Sequence, residues 1–267
     1  MIELSEQMRV VISGSRNLYP YFPVLYESLF AHDKDVTLWI MAEDDKLPYE
    51  VPNNVRVVNV SGQTIFRKDG PNSRSPFTYL AMIRAAYPLL FNGGSYGGVP
   101  ELPKLDKVIS LDCDIVCCDS LKPIWDVDLT DKWFAAVAEY PDDSRPMGRN
   151  NRYANCGVTV MNLEQMRQDK VSEKAIDLLN RKSYTFVDEE VLNILNIADG
   201  DRRIADLPPR YNEIMTTCLS LRPAIVHYAG IKCIWQKNLD EEYRGHYLKE
   251  WMPYAKEKEC AAAGIKF

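Results

Sequence analysis

The run Lys107-Val108-Ile109-Ser110-Leu111 is short, β-rich and apolar, and it breaks directly into Asp112-Cys113-Asp114. A strand of that composition belongs inside a sheet, covered on both faces. Two carboxylates one residue apart at its carboxyl end fix which edge of the sheet carries chemistry, because ligands of open α/β sheets bind outside the carboxyl ends of the strands. Such a pair suits a hard divalent cation, which takes oxygen ligands and fills its remaining positions with substrate phosphates. Short acidic patterns also recur as solvated turns, so the pair alone leaves both readings open.

The surrounding pattern supports a sheet of this kind. Residues 8 to 13 form a continuous apolar strand ending in Ser13-Gly14-Ser15, a loop able to approach a ligand closely. Residues 21 to 30 have a helical pattern, and residues 36 to 41 and 55 to 60 read as further strands. Residues 62 to 76 are polar with Gly, Ser and Pro, which predicts a mobile loop. A helix is predicted over residues 77 to 91, disturbed near its end by Pro88, and residues 92 to 103, rich in glycine, read as an exposed insertion. Beyond the acidic pair, strands are predicted at 134 to 138, 156 to 161 and 224 to 228. Helices are predicted at 172 to 181, 189 to 197 and 241 to 255, with a polar loop over 141 to 153. Alternating strands and helices predict a parallel, Rossmann-like sheet. With no repeat or linker in view, residues 1–267 read as one domain, its N-terminal half binding nucleotide and its C-terminal half covering the site and binding acceptor.

Composition narrows the partners. The net charge of −6 and a pI near 5.3 argue against a nucleic-acid binder, which needs a basic face. No apolar run of membrane-spanning length occurs, and the start, Met1-Ile2-Glu3-Leu4-Ser5-Glu6, lacks the basic and apolar segments of a secretory leader. The reading leaves room for peripheral contact with a membrane surface, although no basic amphipathic tail supports it. Seven cysteines without C-x-x-C spacing read as reduced thiols in a cytoplasmic protein rather than as a zinc site.

The residues from Asp112 to Leu129 (D-C-D-I-V-C-C-D-S-L-K-P-I-W-D-V-D-L) resemble the metal-site segment of glycosyltransferase family 8, whose pattern is an apolar strand, L-D-x-D, and then D-x-L-x-P-L-W-D-x-D-L. The resemblance continues in order. Arg84 lies in a segment similar to the family's R-x-x-x-P-x-L, Asn155 and Gly157 in N-x-G-V-x-x-x-N-L, and Asp188-Glu189-Glu190 in D-Q-D-x-L-N. Leu207 to Asn212 match L-P-x-x-Y-N, read as structural, and His227 stands in I-x-H-x-x-G.

The resemblance implies an α/β, Rossmann-like nucleotide-diphospho-sugar transferase fold of the GT-A type, with a mixed, mainly parallel central sheet. It implies a retaining transfer of glucose or galactose from a UDP-sugar to a glycan, lipid-linked or protein-linked acceptor. Asp112, Asp114 and His227 would hold Mn²⁺, with Mg²⁺ as the alternative. Donor contacts would come from Ser13, Asn17, Arg84, Asp112, Cys113, Asp114, Asn155, Gly157, Asp188, Gly230 and Lys232. Asp188, Glu189 and Asn155 would stand at the reacting centre.

Three departures stand out. Glu189 replaces the family's Gln. The acidic residue of the N-terminal A-x-D-x-N-Y loop is missing, with Asn17 and Tyr19 fitting loosely. In the stretch Gly230-Ile231-Lys232-Cys233-Ile234-Trp235 the lysine is shifted by one. Two rivals follow from these residues. One is a non-catalytic sugar-nucleotide-binding protein. The other is a haloacid-dehalogenase-like phosphatase, whose D-x-D-x-[TV] pattern Asp112 to Val116 also fits, but on the first core strand, whereas three strands precede it here.

Overall fold

A computed structural model describes residues 7–75, 78–139, 153–214, 220 and 222–229. In chain order it runs β1 (Met8–Ser13), α1 (Phe22–His32), β2 (Val36–Ala42), β3 (Val55–Asn59), α2 (Tyr79–Met82), α3 (Tyr87–Leu90), β4 (Gly94–Tyr96) and β5 (Val99–Leu102). It continues with β6 (Lys107–Leu111), β7 (Ile115–Cys117), α4 (Lys122–Trp125), β8 (Phe134–Glu139), β9 (Tyr153–Asn162), α5 (Leu163–Gln168), α6 (Val171–Arg181) and α7 (Val187–Ala198). The last elements are β10 (Ile204–Asp206), β11 (Glu213–Ile214) and β12 (Ile225–His227).

The main sheet has the order β10-β8-β9-β6-β1-β2-β3. All neighbours are parallel except β9, which runs against both β6 and β8, so the parallel sheet expected from the alternation of strands and helices is in fact mixed. Successive residues of β1 serve opposite faces, as the pleat requires. Val10 and Ile12 pack with α1, while Val11 joins the core built on α2, α3 and α5 to α7. A small second sheet, β11-β12-β7, stands at the carboxyl edge, where β12 pairs antiparallel with β7.

Two further expectations are corrected. The predicted helix over 77–91 is instead two short helices, α2 and α3, joined by a 3₁₀ turn at Ile83–Ala86. Pro88 has no N–H for the carbonyl of Arg84, and Tyr87 N–H takes the shorter bond to that oxygen. The described part of the loop over 62–76 is tied down. Asn72 donates to the carbonyls of Leu179 (2.6 Å) and Lys182 (2.9 Å), and Asn180 bonds the backbone of Ile65 and Arg67. The insertion at 92–103 is largely exposed, as expected, and folds as a β4–β5 hairpin with Val99 and Leu102 buried. Gly98 (φ 78°) is so close to Gly62 O that no side chain fits. The helix predicted over 241–255 and most of the 141–153 loop lie outside the described residues.

Candidate active site

The acidic pair lies where β6 ends. Ile12 pairs with Leu111, so Ser13 and Asp112 follow side by side at the carboxyl edge of β1 and β6. On the other side Leu111 pairs with Val158, and Asp112 N–H donates to Gly157 O (2.8 Å). Because β9 runs backwards, its early residues reach this edge. Its register against β8 then jumps, Ala136 facing Thr159 and Val137 facing Asn155. The bulge leaves Cys156 to Val158 out of that ladder and re-aims their groups, as bulges beside sites do. Cys156 N–H donates to Glu189 Oε2 (2.8 Å), and Cys156 O accepts from Arg84.

β12 brings the imidazole of His227 to the pair. Its Nε2 is 3.2 Å from Asp114 Oδ1 and 3.7 Å from Asp112 Oδ2. Potential ligand atoms of Asp112, Asp114 and His227 all lie within 4.8 Å of one another. Asp112 is partly open to solvent, whereas Asp114 and His227 are buried. Burial alone would pull the imidazole below its usual value, but Asp114 and Asp112 outweigh it and hold the pKa above 6.5. Together they would offer a divalent cation two carboxylate oxygens and one imidazole nitrogen.

Arg84 is the buried centre of a second cluster. Its Nε donates to Asp188 Oδ2 (2.9 Å) and its terminal nitrogens to Asp112 Oδ1 (3.1 Å) and Cys156 O. Burial opposes the guanidinium charge, and Asp188 and Asp112 more than restore it, raising the pKa well above the usual guanidinium value. Burial pushes the Asp188 carboxyl up against the pull of Arg84. Asp188, Glu189 and Glu190 form the first turn of α7, where carboxylates meet the positive end of the helix dipole. Glu190 caps that end, accepting from Thr185 N–H (2.8 Å). Val187 enters the helix at φ 36°, a costly conformation for a β-branched residue, directly before Asp188.

The structure thus brings together Arg84, Asp112, Asp114, Asn155, Gly157, Asp188, Glu189 and His227. Cys113, between the two aspartates, points into the core. Asn17 lies exposed in the turn after β1, where its Oδ1 accepts from Ser15 Oγ (2.6 Å). Gly230, Lys232, Cys233 and Trp235 lie outside the described residues. Sequence reasoning passed over two polar partners. Asn212 Oδ1 lies 2.7 Å from His227 Nδ1, and Glu139 Oε1 accepts from Asn155 Nδ2 (2.7 Å). The available signal for Asn212 was its place at the end of the matched L-P-x-x-Y-N segment. Other matched residues build the frame: Asp119 pairs with Arg210 (2.7 Å), and Asn162 caps α5 through Gln165 N–H (3.0 Å).

Comparison with known proteins adds the following. The chain is 27% identical over 187 residues to general stress protein A of Bacillus subtilis, a match covering 59% of this chain and 63% of that protein. It is 27% identical over 157 residues to a lipopolysaccharide 1,2-glucosyltransferase of Escherichia coli, covering 49% of this chain and 45% of that one. The matches thus span less than two thirds of these relatives. The crystal structure of galactosyltransferase LgtC with donor and acceptor sugar analogues superposes with a TM-score of 0.69 at 18% identity, covering 96% of this chain and 100% of that one. This likeness carries the fold, a GT-A type α/β architecture. The model of glycosyl transferase family 8 matches residues 98–238, more than half of the chain and the stretch that holds the acidic pair, the β9 bulge, Asp188 and His227. The chain belongs to glycosyltransferase family 8.

Proposed function

We propose that this chain, acting as one domain, is a metal-dependent retaining hexosyltransferase that moves glucose or galactose from a UDP-sugar to a hydroxyl on a glycan, lipid-linked or protein-linked acceptor. The observation that carries this reading is the convergence of Asp112, Asp114 and His227 within 4.8 Å at the carboxyl edge of the sheet. A divalent ion held by these residues, Mn²⁺ as the family resemblance implies or Mg²⁺ as the alternative, would supply Lewis-acid stabilisation to the departing diphosphate.

The chain's own groups do the rest. Asp112 presents its open face to the diphosphate while Arg84 holds its other oxygen. Ser13, beside Asp112 at the carboxyl edge, lies against the nucleotide. Asp188 and Asn155 orient the donor sugar, and positioning of this kind supplies a large share of such a barrier. The acceptor hydroxyl attacks the anomeric carbon on the face the diphosphate leaves, and a departing phosphate oxygen takes its proton. Glu189, held by Cys156 N–H, acts as an electrostatic neighbour rather than as a nucleophile. Reduced cysteines, buried as Cys113, Cys117 and Cys156 are, fit a cytoplasmic setting. Among the described residues no helix is long and apolar enough to cross a membrane.

The test is UDP release from a panel of UDP-sugars as Mn²⁺ is varied, for the wild type and Asp114→Asn, with circular dichroism in parallel. Asp114→Asn is expected to keep its fold and lose metal-dependent turnover. Unchanged activity at every metal concentration overturns the reading. Donor binding by the wild type without hydrolysis or transfer favours the non-catalytic alternative.

A further inference from the structure

We infer that Asn212 is a positioning residue that dictates which nitrogen of His227 carries the proton, and so which nitrogen faces the acidic pair. The proton positions follow from one backbone group. Gly157 N–H is a donor without ambiguity, and it lies 2.9 Å from one end of the Asn155 amide, which must therefore be oxygen. The other end is then the amide nitrogen, which suits its 2.7 Å contact with the Glu139 carboxylate. The Asn155 oxygen also lies 2.8 Å from one end of the Asn212 amide, and that end must be nitrogen. The remaining Asn212 atom is oxygen, 2.7 Å from His227 Nδ1, so Nδ1 bears hydrogen and donates. In the neutral ring Nε2 keeps its lone pair, and Nε2 faces Asp114 and Asp112.

The reverse assignment is costly. Turning the Asn155 amide sets its N–H₂ against Gly157 N–H and its oxygen against Glu139. Each lost partner in a buried site costs about 1–3 kcal/mol. Asn155, Asn212 and His227 are 8%, 4% and 1% exposed, so little water is available to rescue them. Histidine ligands commonly donate their second nitrogen to a carboxylate, a backbone carbonyl or water, and losing that partner weakens metal binding. Here the partner is a side-chain amide, itself oriented from the β9 bulge. Sequence reading had assigned Asn212 to the frame; its geometry ties it to the chemistry.

The consequence for metal binding rests on the proposed metal-dependent transfer, while the placement of the proton does not. The full chain labelled with ¹⁵N-histidine carries three histidines, His32, His227 and His246. Long-range ¹H–¹⁵N spectra without metal, at a pH where the ring is neutral, report the tautomer of each. The His227 signals are assigned by their loss in His227→Gln. The expected result is a ring protonated on Nδ1. Asn212→Leu should abolish that preference and weaken Mn²⁺ binding in the presence of UDP by about 10–100-fold, read from the paramagnetic resonance of free Mn²⁺. A wild-type ring protonated on Nε2, or Asn212→Leu with unchanged tautomer and affinity, overturns the inference. Should Asn212→Leu fail to fold, the wild-type tautomer decides alone. Unchanged Mn²⁺ affinity in Asp114→Asn would remove the metal reading and leave the tautomer result standing.

Discussion

Gly157 and His227 share a space that admits only a hydrogen on the glycine. A Cβ built on Gly157 overlaps Cε1 of the His227 ring and comes within 2.6 Å of its Nδ1. The backbone there is not in the left-handed region, so the constraint is the imidazole and not the dihedral angle. The β9 bulge thereby sets how deep the ring can sit against the acidic pair.

Gly157→Ala is expected to push the ring off Asn212 and out of the ligand set. Overpacking of this size costs about 1–3 kcal/mol of stability, and the Mn²⁺ requirement for activity should rise about 10–100-fold. Thermal unfolding without metal and Mn²⁺ titrations of turnover measure the two effects. Wild-type metal dependence would show that the ring has another place to go.

The acid limb of activity should follow His227. A bound imidazole must be neutral, so protons compete with the ion, and raising Mn²⁺ should move the limb to lower pH. Stability of the metal-free protein has the opposite sign. Since the folded-state pKa lies above 6.5, the contribution of this group is complete below the unfolded value and is lost as pH rises through the folded one. Urea unfolding against pH, with chelator and with Mn²⁺, reads both. An acid limb indifferent to Mn²⁺ would take His227 out of the ligand set.

Arg84→Met strands the buried Asp188 carboxylate without its partner. Breaking such a pair from one side costs about 3–5 kcal/mol. The double variant Arg84→Met with Asp188→Leu should regain much of that stability while staying inactive, because an apolar pair needs no compensation but cannot hold donor or Asp112. Urea midpoints for the three proteins and turnover of UDP-sugar test this. A single variant within about 1 kcal/mol of wild type would mean that Asp188 finds another partner or takes up a proton cheaply.

Glu189→Gln keeps an oxygen for Cys156 N–H, so the bulge should persist. Turnover should fall at most about 100-fold. Loss of a covalent nucleophile costs far more, on the order of 10⁴-fold or beyond. A loss of that size with donor binding intact, together with a glycosyl group trapped on Glu189 of the wild type, would establish a covalent route instead.

The β6 edge was legible because composition and chemistry coincide there: an apolar strand cannot continue through two aspartates, and a strand end is where a site belongs. His227 was legible through its strand and its matched segment. Strand direction was not. β9 is buried on both faces along nearly its whole length, and an apolar run reads the same in either direction, although its reversal is what brings Asn155 and Gly157 to the site. The loop at 62–76 read as mobile because its composition is polar. Asn72 and Asn180 use that polarity to bond carbonyls and N–H groups more than a hundred residues away in sequence, or to be bonded by them. Asn212 and Glu139 were invisible for a related reason. An amide that orients a neighbour has no spacing rule, since its partner is chosen by the fold.

The third member of the acidic cluster arrives on β12, 113 positions after Asp114, and it is seated by antiparallel pairing with β7. A growing polypeptide can complete β1, β2, β3 and β6 while still attached to the ribosome, yet it holds only two carboxylates until residue 227 has emerged and docked. Closing so long a loop is a late, entropically costly step. On the proposed function, tight binding of the divalent ion would therefore be acquired only once β12 has docked, so that unfinished chains make poor competitors for it.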